Sequence, residues 1–95
     1  MKVTLHTILG IKDVVGQRLM EIELPDGSTI DGCLTYMRKR WGDALSAHLF
    51  DPETDAVLPY VQIMVNGQKI VFLQGMETPL KDDDEILILP PASGG

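Results

Sequence analysis

Apolar and polar residues alternate through Val3-Thr4-Leu5-His6-Thr7 and run into Ile8-Leu9, the period of two expected of a strand with one buried face. Gly10 and Gly16 mark the stretch to Arg18 as a loop or wide hairpin connection. Residues 19–24 place Met20, Ile22 and Leu24 on one face and Glu21 and Glu23 on the other, predicting a second strand with a wet side. Pro25-Asp26-Gly27 ends it. The period then changes: Ile30, Cys33, Leu34, Met37 and Trp41 recur at helical spacing behind Ser28, which with Asp31 three residues on resembles a capping box, and Gly42 is the expected C-cap. Residues 44–50 continue as a short second helix capped by Asp43, and Asp51-Pro52 breaks it. Val61 to Val65 reads as a strand, Asn66-Gly67 as a two-residue hairpin turn, and residues 68–72 as its return. Ile86-Leu87-Ile88-Leu89 is the last strand, stopped by Pro90-Pro91, since proline cannot donate to a sheet ladder.

Two strands, one principal helix and two or three further strands predict an α+β roll, with a mixed four- to five-stranded sheet and the helix across one face. Ninety-five residues suffice for one domain, read as residues 1–89 followed by a tail of residues 90–95. Eight Lys and Arg against fourteen Asp and Glu give a net charge of -6, which repels phosphate backbones and anionic lipid, so neither nucleic acid nor membrane is an expected partner. The chain opens into its first strand without a secretory leader, and a cytoplasmic location is expected.

The end of the chain carries the chemistry. After the last strand come two prolines, two small residues and two glycines, Pro90-Pro91-Ala92-Ser93-Gly94-Gly95, none suited to packing. The prolines project the chain stiffly from the sheet, and six residues reach roughly 20 Å at about 3.3 to 3.6 Å each. Lacking Cβ atoms, Gly94 and Gly95 fit a narrow channel closing on their backbone. At an average glycine frequency of about 7%, a terminal Gly-Gly arises by accident in roughly one chain in 200, which favours insertion over a frayed end. The last strand offers a second signal. It is apolar on both faces although one helix covers only one face, and Met64 is out of phase with Val61, Ile63 and Val65. Met64, Ile86, Leu87, Ile88 and Leu89 are therefore the expected partner face, unless residues 43–59 fold over it.

These features together resemble the ubiquitin-like β-grasp sulfur carriers, which include the small subunit of molybdopterin synthase and the thiamine-pathway carrier. The resemblance rests on the strand over residues 19–24, the helix over 28–41, Val65-Asn66-Gly67, Thr78-Pro79-Leu80, the acidic run Asp82-Asp83-Asp84-Glu85 and the diglycine tail. The double proline is more like the molybdopterin synthase small subunit than the thiamine carrier, which generally lacks it. Asp83 stands where the family often has glycine, a substitution eased by the readiness of Asp to enter left-handed turns. The stretch from Asp43 to Pro59 is longer than in compact members.

The resemblance implies a chain that is not catalytic alone and binds no cofactor. An E1-like adenylating enzyme would activate the Gly95 carboxylate with ATP, and a persulfide donor would convert it to a thiocarboxylate. Pro90, Pro91, Ala92, Ser93 and Gly94 would carry it into the molybdopterin synthase large subunit or another sulfur acceptor, the latter serving thiamine, cysteine or tRNA thiolation. A protein modifier joined through Gly95 to a lysine is the alternative of another class. Activation is needed in every case, because a terminal carboxylate with a pKa near 3.3 to 3.7 is an anion and a poor electrophile at neutral pH.

Other chemistry is weakly indicated. His6, His48 and the single Cys33 match no metal-ligand spacing, an iron-sulfur version of this roll would need four thiolates, and Cys33 falls on the helix's apolar stripe. Arg38-Lys39-Arg40 is placed to complement a helix C-terminus, and Asp82 to Glu85 reads as a solvated turn rather than a cation site.

Overall fold

A computed structural model describes residues 1–90. Strands β1 (Lys2–Thr7), β2 (Leu19–Glu23), β3 (Gln62–Val65), β4 (Gln68–Lys69) and β5 (Glu85–Leu89) form one mixed sheet in the order β2-β1-β5-β3-β4. β1 and β5 run parallel at its centre, and the remaining pairings are antiparallel. Three helices, α1 (Leu9–Val15), α2 (Ile30–Trp41) and α3 (Asp43–Leu49), contribute buried side chains to a single core with the inward faces of β1, β3 and β5. The predicted roll is the observed fold.

α2 begins one residue later than its sequence signal. Thr29 is the N-cap, its Oγ1 accepting from the Gly32 amide at 3.3 Å, while the Ser28 hydroxyl donates to the Pro25 carbonyl at 2.6 Å. Ile30, Cys33, Leu34 and Met37 form the buried stripe, and the Gly42 amide closes the helix on the Arg38 carbonyl. The segment 43–59 does not cover the open sheet face: α3 packs against α1 and α2 on the helical side. The following loop is held there by Arg38, which donates to both carboxylate oxygens of Asp55 and stacks 4.2 Å from the centroid of Phe50. That hydrogen bonding lowers the Asp55 pKa and raises that of Arg38.

Two elements differ from the sequence reading. Residues read as a loop after Gly10 form α1, whose N-cap, Ile8, makes no side-chain cap and which is held by buried Ile11 and Val15. Its first turn lies so close to α3 that a Cβ on Gly10 would meet the His48 ring at 2.5 Å. Leu9 opens this helix with φ +54, a left-handed conformation that costs a non-glycine residue about 1 kcal/mol or more. The expected strand over residues 68–72 is shorter, since only Gln68 and Lys69 pair and the chain winds into a 3-10 turn over Ile70–Phe72. At the hairpin itself, Asn66 and Gly67 take φ +50 and +85, the type I′ signature.

Candidate tail root and partner face

β5 is the strand that delivers the tail, and it lies between β1 and β3. Its alternation divides the expected partner face. Ile86 and Ile88 are both 0% exposed and point into the core, so they cannot meet a partner. Leu87, Leu89 and, across the ladder, Met64 are half-buried on the opposite, uncovered face. The sequence could show that one set had to be out, but not which set faced α2. Pro90 is half-buried at the strand's end. Pro91, Ala92, Ser93, Gly94 and Gly95 lie outside the described residues.

The ladders extend this face beyond the predicted set. His6 of β1 sits opposite Leu19 on one side and Leu87 on the other, Met64 lies opposite Leu87, and Lys69 opposite Met64. Leu19, His6, Leu87, Met64 and Lys69 thus form one transverse row. In the neighbouring row Glu21 and Glu85 flank Thr4, so the apolar strip carries an acidic border. The alternation in β1 and β2 already put His6 and Leu19 on a wet side. What the sequence lacked was the register that brings them beside β5.

The acidic turn before β5 is solvated at Asp82, Asp83 and Glu85, as expected, but not at Asp84. Asp82 Oδ1 accepts from the Lys2 amide at 2.7 Å, and Asp83 adopts φ +69, the left-handed geometry anticipated for it. Asp84 is buried. Its carboxylate accepts from the Asn66 side-chain amide and from the Lys81 backbone amide, each at 2.8 Å, and Asn66 Oδ1 in turn accepts from the Glu85 amide at 2.9 Å. This network locks the hairpin turn to the start of β5 and so fixes the direction in which the strand leaves. Among the described residues no cluster of three or more His, Cys, Asp or Glu could hold a metal ion, and no helix is long and apolar enough to cross a membrane.

Cys33 is fully buried and unpaired, and burial pushes its thiol up from 9.0 to about 12. It supplies no thiolate for sulfur relay near neutral pH. Native protein at pH 8 is expected to resist an aromatic disulfide reagent, with labelling appearing only in denaturant. Because the folded pKa is the higher one, the associated stability is intact below about pH 9. It is lost as pH rises toward 12, where only the unfolded chain readily releases the proton.

β5 thus sits at the centre of the sheet beside an open face that bears Met64, Leu87 and Leu89, and it leads to Pro90. The model of the ThiS family matches residues 11–95. The chain belongs to the ThiS family. It is 32% identical to small archaeal modifier protein 3 of Haloferax volcanii over 95 residues, the whole of both chains. It is 30% identical to the sulfur carrier protein CysO of Mycobacterium tuberculosis over 70 residues, 73% of this chain and 74% of the relative. The solution structure of small archaeal modifier protein 1 from Methanosarcina acetivorans superimposes with a TM-score of 0.80 at 26% identity, covering 99% of this chain and 96% of that one. The fold is therefore the β-grasp of these proteins, and the ThiS-family chain falls in the sulfur carrier and small archaeal modifier class. An E1-like activating enzyme is the partner this membership implies. The resemblance read from the sequence holds at this broader level.

Proposed function

We infer that the ThiS-family chain is activated at Gly95 and serves both as a sulfur carrier and as a protein modifier, two outcomes of one acyl adenylate. The observation that carries this reading is the alignment with small archaeal modifier protein 3 over the full length of both chains, together with the Gly94-Gly95 ending. The Gly95 carboxylate attacks the α-phosphorus of ATP, forming acyl-AMP and releasing pyrophosphate. A persulfide attacks the acyl carbon and expels AMP, and a second thiol reduces the resulting acyl disulfide to free the thiocarboxylate. A lysine Nζ attacking the same carbon gives an isopeptide, AMP and a proton. The chain contributes the electrophile and a surface for docking, and its partners contribute the acid-base groups. Met64, Leu87 and Leu89 are the residues of the open face that would meet the activating enzyme. A second reading, sulfur delivery to the large subunit of molybdopterin synthase, is favoured by the Pro90-Pro91 pair and by the likeness, at 26% identity, to a putative molybdopterin converting factor subunit 1 from Pyrococcus furiosus.

Intact-mass analysis after incubation with an E1-like enzyme, ATP and a persulfide donor tests the reading. Exchange of one oxygen for sulfur, mapped to Gly95, is expected. Isopeptide adducts are expected when lysine-bearing proteins replace the persulfide. An unchanged mass in both reactions, with an activating enzyme proven on its own carrier, would remove the proposal.

A further inference from the structure

Four strand ends meet where the tail departs. β1 and β5 are parallel and end together, with Thr7 opposite Ile88, while β2 and β3 run the other way and begin there, with Leu19 opposite His6 and Gln62 opposite Leu89. Six large hydrophobic residues are exposed among the described residues, and three belong to this end of the sheet. They are Leu9, two residues beyond β1, at 61% exposure, Leu19 at the start of β2 at 50%, and Tyr60, two residues before β3, at 73%. All three lie at the end of the sheet from which Pro90 continues β5.

Leu9 is the most informative of the three. Its φ of +54 belongs to the region glycine enters freely and leucine does not. Its exposed side chain recovers little through packing. Neither local conformation nor the core accounts for a leucine here, and a strained residue with an exposed apolar side chain is the mark of a contact made outside the chain. A body that receives the chain beyond Pro90 approaches this end of the sheet.

We propose that Leu9, Leu19 and Tyr60 form an apolar collar at the root of the tail that seats against the channel mouth of the activating enzyme. The collar rests on the activation reading given above. Seating is a binding contact remote from the reacting atoms. It acts on the affinity for the carrier more than on the chemical step.

ATP-pyrophosphate exchange, measured with full-length carrier and its activating enzyme, tests the collar. Leu9→Glu and Tyr60→Glu are each expected to raise the KM for the carrier at least tenfold with kcat within about twofold, and with thermal unfolding unchanged. Leu9→Gly removes the same contact without adding charge and relieves the backbone. It is expected to raise KM while the melting temperature holds or increases. Variants that keep the parent's KM, with the parent itself exchanging, would overturn the collar and leave the activation reading standing. A parent chain that supports no exchange would overturn both.

Discussion

A chain lacking Gly94 and Gly95 is expected to lose thiocarboxylate formation to background while melting at the temperature of the parent. The two halves of this expectation have separate causes. Chemistry is lost because the last residue becomes Ser93, which both shortens the reach and places a side chain where a channel must close on backbone. Stability is kept because every buried apolar residue among the described residues lies between Val3 and Ile88. Gly94→Ala should be intermediate, on the order of a hundredfold in activation rate, as expected when a reacting group is displaced by about an ångström. Intact mass and calorimetry on the same samples check both halves, and a truncated chain that still exchanged oxygen for sulfur would show that Gly95 is not the site.

Asp84→Ala has the opposite profile. It strips the acceptor from the Asn66 side-chain amide and from the Lys81 backbone amide, and leaving such groups unpaired in a partly buried turn costs about 3 kcal/mol. Against a typical total of 5 to 15 kcal/mol for a domain, the melting temperature should fall by roughly 12 to 24 °C at about 4 to 8 °C per kcal/mol. Asn66→Ala alone should cost about 2 kcal/mol, because it removes two hydrogen bonds and puts alanine at φ +50. The double variant should cost clearly less than the sum, since the two residues serve one network. Additive losses in denaturant titrations would mean that the carboxylate and the amide act separately.

How much of this was legible depended on whether local pattern or tertiary contact decided each element. β1, β2, α2, β3 and β5 announce themselves through clear periodicity, and Asn66-Gly67 through the backbone geometry a two-residue hairpin demands. α1 does not. Leu9-Gly10 is a poor opening for a helix, no cap precedes it, and Ile11 and Val15 are too few to establish a period. It forms because those two side chains reach the core and Gly10 lets His48 approach. The return strand was over-read for a related reason: Ile70, Val71 and Phe72 suit a strand by type, but the chain turns after Lys69 and leaves Val71 and Phe72 exposed.

The partner face shows the same boundary. A sequence of four apolar residues in β5 states that two must lie outside the core, and only the position of α2 selects Leu87 and Leu89 over Ile86 and Ile88. Asp84 was misread as solvated because it sits within an acidic run, where composition suggests water. Its burial follows from the Asn66 amide folding back onto it, a contact eighteen residues away in the chain. The diglycine needs no register to be seen, and the proposed chemistry at Gly95 rests on it.

The position of β5 bears on what happens when a partner draws on the tail. Force applied at Pro90 runs along a strand held on both sides, by β1 over Thr4 to Thr7 and by β3 over Gln62 to Val65. Such a load shears two ladders together instead of unzipping one bond after another. An edge strand such as β2 or β4, with a neighbour on one side only, would meet the same pull with a single ladder. The roll is thus a mechanical anchor for its own terminus, able to remain folded while the last residues are drawn taut.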